Sequence, residues 1–281
     1  MKPLYTFYYL SLPVVLGAVF SNRMATRLSD VESIHWATSL VLALVVWIIY
    51  TTDRLLDVRK PSGAQTPRHL FHHKHATLLG QVVAGMCVLA GILAFFLPKS
   101  VWQFGLALGA VCAGYVFAVF RLPSNHLALL LKEPLVALLF SAGVWGSVWA
   151  QRPAISGVEW AEGLMFAGIA FQNLLLFAVF EQAERPGDST YSLVTAWGSS
   201  MCDKLLRWLT FIIIATAFGI CLMADNESVG GGLRFAQRSA LMLGIMSVVL
   251  YAIQRYPTYY LKHERYRWIG DAVFWLPVLV L

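Results

Sequence analysis

Eight stretches of this chain run for 16 to 24 residues without a single Asp, Glu, Lys or Arg, and no other feature restricts the fold as strongly. They lie between Lys2 and Arg23 (20 residues), Glu32 and Asp53 (20), Lys74 and Lys99 (24), and Lys99 and Arg121 (21). The others separate Glu133 from Arg152 (18), Glu162 from Glu181 (18), Arg207 from Asp225 (17) and Arg238 from Arg255 (16). A helix that crosses a bilayer needs about 20 mostly apolar residues, within a range of about 17–25. Each run therefore predicts a span. Only 13% of the 281 residues are charged, roughly half the share in soluble domains, which excludes a soluble enzyme, a disordered chain and a disulfide scaffold.

The expected fold is all-α: a polytopic transmembrane helical bundle of eight to nine helices, with one integral membrane domain over residues 1–281. The ninth helix is the apolar stretch from Asp271 to Leu281, which at about 1.5 Å per residue barely crosses half a bilayer. It reads either as a short final helix starting near Tyr266 or as a segment lying against the bundle. Lys2 precedes the first run, but its length and the seven runs that follow favour a retained span over a cleaved signal.

Loops assigned alternately from the N-terminus carry 15 Lys and Arg on one side and 6 on the other. The positive-inside bias puts the N-terminus and the loops after spans 2, 4, 6 and 8 in the cytoplasm. The net charge of +6 is thus a topology signal and calls for no nucleic acid. Cys87, Cys112, Cys202 and Cys221 form no C-x-x-C pair and read as small apolar residues.

The exit of span 2 reads Tyr50-Thr-Thr-Asp53-Arg54-Leu-Leu-Asp57-Val-Arg59-Lys60. On a continued helix Asp53 and Asp57 are neighbours, with Cβ atoms about 5–6 Å apart. Two carboxylates so placed suit Mg²⁺, which is held by one or two carboxylates together with substrate phosphates, and Arg54, Arg59 and Lys60 suit the phosphate oxygens. The competing reading is a cytosolic helix end whose acids and bases pair with one another. Just downstream, Arg68-His69-Leu-Phe-His72-His73-Lys74-His75 holds four of the seven histidines. This is either a zinc site or a basic segment resting on headgroups, with His69 among the anion-binding groups.

A second acidic cluster follows span 6. Gln172 and Asn173 sit inside its apolar run, and Glu181, Glu184, Arg185 and Asp188 come after. Asn173, a polar amide at membrane depth, has either a site role or an interhelical hydrogen bond. Both clusters follow even-numbered spans and so share one predicted face, where two sets of carboxylates can hold a diphosphate through shared Mg²⁺ ions.

Asp53-x-x-x-Asp57 after span 2, with Arg68 downstream and Glu181, Glu184 and Asp188 after span 6, resembles the UbiA superfamily of intramembrane prenyltransferases. The chain departs from that pattern at Ile49, where the family has Asn. It also has Thr66-Pro67-Arg68-His69 in place of an Arg-Pro-Leu element, and glutamates in place of aspartates in the second motif. The resemblance implies a nine-helix bundle with a cytosolic active site. It further implies transfer of an isoprenyl group from an allylic diphosphate to an apolar acceptor. On that reading Asp53, Asp57, Glu181 and Glu184 hold Mg²⁺ and act with Arg68 in catalysis. Arg54, Arg59, Lys60, Arg68, His69, Lys132, Asn173 and Asp188 bind the diphosphate, and Glu133 stands beside Lys132 at the mouth of span 5. Aromatic faces for an allylic cation would come from the set Trp47, Tyr50, Tyr115, Phe117, Phe171 and Phe177. The alternatives are a terpene cyclase and a non-catalytic isoprenoid- or lipid-binding protein on the same scaffold.

Overall fold

The computed structural model describes residues 3–31, 36–58, 67–123, 126–184, 191–223 and 233–281. Arg59, Lys60 and Asp188, three of the proposed diphosphate-binding residues, lie outside them, as does Arg185. Every regular element among the described residues is helical. Seven helices are long and apolar enough to cross a membrane: α3 (Trp36–Asp57), α5 (Ala76–Ala94), α6 (Lys99–Arg121), α7 (Leu127–Trp149), α8 (Gly157–Glu184), α10 (Ser199–Met223) and α11 (Phe235–Arg255). Shorter helices are α1 (Pro3–Tyr9), α2 (Leu12–Leu28), α4 (Pro67–Lys74), α9 (Leu193–Trp197), α12 (Pro257–Tyr260) and α13 (Arg265–Ala272). The chain is a multi-pass helical membrane protein.

The helix ends follow local chemistry. Leu122 adopts an extended conformation ahead of Pro123 and closes α6, because proline disfavours the helical region for the residue before it. At the start of α8 the Ser156 amide donates to Glu159 Oε2 (2.7 Å) and the Glu159 amide to Ser156 Oγ (3.2 Å), a reciprocal cap that accounts for Glu159. With 28 residues, α8 is about 42 Å long, so it carries Glu181 and Glu184 past the apolar layer.

The first run does not form one helix. Ser11 takes a left-handed conformation (φ 56°) and Pro13 lies in the first turn of α2, so the chain breaks between α1 and α2. Helix α2 then extends through Arg23 and Arg27, and its 17 residues displace the apolar segment towards the C-terminus. The stretch after α13 continues as a tight 3₁₀ turn over Val273–Val280 around Pro277 and packs along α2. Trp275 Nε1 donates to the Pro13 carbonyl (2.7 Å). At the crossing, a Cβ on Gly17 would stand 2.6 Å from Phe274 Cβ. Gly17→Ala is therefore expected to cost about 1–3 kcal/mol through overpacking, read as a lower melting temperature in detergent.

Helices α8 and α11 form the centre, with 56% of their apolar windows buried, whereas α5 (11%) and α6 (0%) face outward. Such apolar faces need no protein partner in lipid, so the interior is held by packing and polar links. Gln172 of α8 donates to Thr210 Oγ1 on α10 (2.9 Å), and Ser247 Oγ on α11 donates to Gln172 Oε1 (2.7 Å). Asn22 Nδ2 of α2 donates to the Val144 carbonyl of α7 (2.7 Å). Gln172→Leu is expected to lower stability by about 1 kcal/mol without changing ligand binding, because it breaks the three-helix link away from the site described next. Thermal unfolding alongside a binding isotherm checks both halves of that expectation.

Candidate functional site

One end of the bundle gathers charge from five elements. The C-terminal turn of α3 supplies Asp53, Arg54 and Asp57, with Arg54 Nη1 3.9 Å from Asp57 Oδ2. Lys132 of α7 lies within electrostatic reach of Asp53, Asp57, Arg54 and Glu181. Arg68 of α4 is 8% exposed and within reach of Arg54, Arg267 and Glu181. From α8 comes Glu181, paired with Arg267 of α13 at 2.6 Å. The two acidic clusters, separated by more than a hundred residues of sequence, thus face one set of cations.

Burial and the neighbouring Arg54 charge lower the Arg68 pKa to about 10. This guanidinium is held at a loss of solvation, a state favourable for meeting an anion. His72 is buried, its Nδ1 donating to the Arg68 carbonyl (2.9 Å), and burial holds its pKa below the usual histidine value. A neutral His72 fixes the turn that carries Arg68. His73 points outward, and the His75 ring packs on Phe71 at 4.9 Å, so the histidines turn different ways. Among the described residues, no three His, Cys, Asp or Glu side chains gather as a metal centre.

The two acidic clusters have different company. Asp53 and Asp57 stand one helical turn apart, an arrangement that fits a Mg²⁺ ion sharing its shell with phosphate and water. Glu181 is taken up by the Arg267 guanidinium, and Tyr266 Oη donates to Glu184 Oε2 at 3.1 Å. Arg267 Nε donates in turn to Tyr266 Oη at 3.0 Å. The second pair of expected metal ligands is therefore engaged by a built-in cation and a phenol, while Asp57 of the first pair has the Arg54 guanidinium at 3.9 Å.

An apolar cavity opens directly beneath this charged end. It holds about 1330 Å³ of empty space, part of it open to the outside, between α3, α5, α6 and α7. Tyr50 and Tyr115 stand at its polar mouth, both within electrostatic reach of Asp53. Deeper along it the wall is apolar, from Val45 and Leu42 on α3 to Leu108 and Phe104 on α6. The π-helical turn at Ala142–Gly146, an irregularity common at functional sites, brings Gly143 to the opposite wall. Of the other candidate aromatics, Phe117 faces outward and is 61% exposed, while Phe177 packs edge-on against Tyr266.

Asn173 neither joins the Gln172 network nor touches the cation cluster. It is 5% exposed, its Oδ1 lies where a Cβ on Gly270 would stand 2.5 Å away, and Asp271 of α13 is within its electrostatic reach. Arg267, Tyr266 and Asp271 were not anticipated as site residues. The only signal for them was a charged, aromatic turn just before an apolar tail. In comparisons with known proteins, no family model, no curated protein and no solved structure matches this chain.

Proposed function

We propose that the chain is an intramembrane prenyltransferase that moves an isoprenyl group from an allylic diphosphate to an apolar acceptor. The observation that carries this reading is the junction of a charged ring with a deep apolar cavity. That shape is complementary to an amphiphile with an anionic head and a long hydrocarbon tail. Arg54, Arg68 and Lys132 bind diphosphate oxygens through charge-assisted hydrogen bonds. Glu181 orients Arg267 towards the same head, so a fixed guanidinium takes the place that the family resemblance gives to a second metal. Asp53 and Asp57 hold Mg²⁺, which when bound offsets charge on the departing diphosphate. The Tyr50 and Tyr115 rings at the mouth stand where an allylic cation would form, and the apolar wall below excludes water from it. The Lys and Arg bias assigns this end to the cytoplasmic side.

Incubating the purified protein with isoprenyl diphosphates of several lengths, with and without Mg²⁺, tests the reading through diphosphate release. Release that requires both Mg²⁺ and an acceptor supports transfer, and release with a cyclic hydrocarbon and no acceptor means a cyclase. Tight binding without release identifies an isoprenoid-binding protein instead.

A further inference from the structure

Polar side chains join α8 to α11 at two levels. One is the Gln172–Ser247 contact described above. The other lies at the end of the bundle opposite the charged ring, where Glu162 of α8 meets Ser239 of α11, both fully buried. The next residue, Gly163, has the Trp149 ring where a Cβ would stand 2.5 Å away, and Trp149 packs on Trp160 at 4.5 Å, so aromatic rings wall this level. Glu162 Oε2 is buried without a hydrogen-bond partner, and among the described residues no Lys, Arg or His stands within electrostatic reach of the carboxyl. The charged groups at this end are occupied elsewhere. Arg23 and Arg27 of α2, with Arg234 and Arg238 at the start of α11, are exposed. Arg152, after α7, is within reach of Glu159, which accepts from the Ser156 amide. On α10, Cys221 is the titratable group within reach of Glu162.

A count of hydrogens decides the charge on Glu162. Ser239 Oγ lies 2.9 Å from Glu162 Oε1, 2.9 Å from the Phe235 carbonyl and 3.1 Å from the Ala236 carbonyl. All three are acceptors if Glu162 is ionised, and one hydroxyl has a single hydrogen to give. A serine inside a helix can give it to the carbonyl one turn back, which leaves two oxygens facing each other with no hydrogen between them. A proton on Glu162 Oε1 removes that conflict, because the acid donates to Ser239 Oγ and Ser239 donates to the Phe235 carbonyl. It also removes an unpaired charge from an apolar interior, where a carboxyl neutralises rather than stays ionised.

We propose that Glu162 is a proton-binding site, a neutral acid at neutral pH that fastens α8 to α11 through Ser239. The ligand is the proton itself, so the site needs no cavity, and it is independent of the prenyl-transfer reading. When the site empties, the proton leaves to solvent and the contact with Ser239 loses one of its two hydrogens.

Infrared difference spectra of the full chain in an ester-free detergent, taken between about pH 6 and about pH 10, test this. An ordinary glutamate has already ionised at the lower value, so a protonated carboxyl there marks a site of this kind. The wild type should lose a protonated-carboxyl band and gain a carboxylate band, and Glu162→Gln should lack that pair. Ser239→Ala should keep the pair with the protonated band shifted in frequency, because the acid loses the oxygen to which it donates. A proton held by the folded chain and released by the unfolded one makes stability fall as pH rises. The melting temperature of the wild type should therefore fall several degrees further than that of Glu162→Gln over the same interval. A spectrum from which Glu162→Gln removes no band, or a band unmoved in Ser239→Ala, overturns the proposal, and parallel melting losses in wild type and Glu162→Gln overturn the fastening. If Glu162→Gln does not fold, the Ser239→Ala shift decides alone in the same way.

Discussion

Asp53→Asn and Asp57→Asn are each expected to reduce Mg²⁺-dependent diphosphate release by roughly 10²–10³-fold, the usual effect of removing one group aimed at developing charge. Both side chains sit in the last turn of α3, half-buried, where an amide of the same shape leaves helix and packing unchanged. Melting temperature should therefore hold while turnover falls. Glu184→Gln should have a much smaller effect, because Glu184 accepts from Tyr266 Oη and a glutamine oxygen accepts equally well. Turnover of each variant at saturating donor, over a range of Mg²⁺ concentrations, checks the ranking. An equal or greater loss at Glu184 would mean that the second acidic cluster, not the first, carries the metal.

The second large effect concerns tail length. Gly105 and Gly109 line the cavity from α6, and a Cβ added at either would meet no atom within 4 Å. Gly109 and Gly105 lie six and ten residues before Tyr115, roughly 9 and 15 Å along the helix from the charged mouth. Gly109→Trp is expected to fill the upper channel, and Gly105→Trp to close only its lower part. Preference should then move from long to short isoprenyl donors by about tenfold or more, more severely for Gly109→Trp. The ratio of rates with a five-unit and a two-unit diphosphate reads this directly. Both substitutions place bulk in empty space, so the cost in stability should be small. An unchanged length preference in both variants would mean that the tail lies elsewhere.

Much of this arrangement was legible in the charge pattern, and the parts that were not have physical reasons. Uncharged runs mark spans because the bilayer penalises charge, and seven of the helices follow them. The first run does not map onto one helix because its composition says nothing of Ser11, whose left-handed backbone breaks the helix ahead of Pro13. Hydropathy also fails to register that Arg23 and Arg27 continue α2. Asp53 and Asp57 were readable because i, i+4 spacing on a helix fixes their proximity whatever the rest of the fold does. Gln172 and Asn173 are adjacent in sequence but about 100° apart around α8, so one ties three helices together and the other lies against Gly270 of α13. No local pattern separates those two fates. Arg267 and Asp271 escaped notice because they sit in a segment too short to count as a span. Their importance comes only from its packing against α2 and α8, which brings α13 beneath Glu181 and Asn173.

The account depends on one amphiphile occupying the charged ring and the apolar cavity together, and photolabelling with a diazirine-tailed isoprenyl diphosphate tests that most directly. The account predicts labelling on the cavity faces of α3, α6 and α7, at segments around Val45, Leu108 and Gly143. That labelling should be displaced by unlabelled isoprenyl diphosphate but not by the free alcohol, and should be lost when Arg68 and Lys132 are both replaced by Met. Labels spread over the outward faces of α5 and α10, unaffected by the diphosphate head or by those two cations, would contradict it.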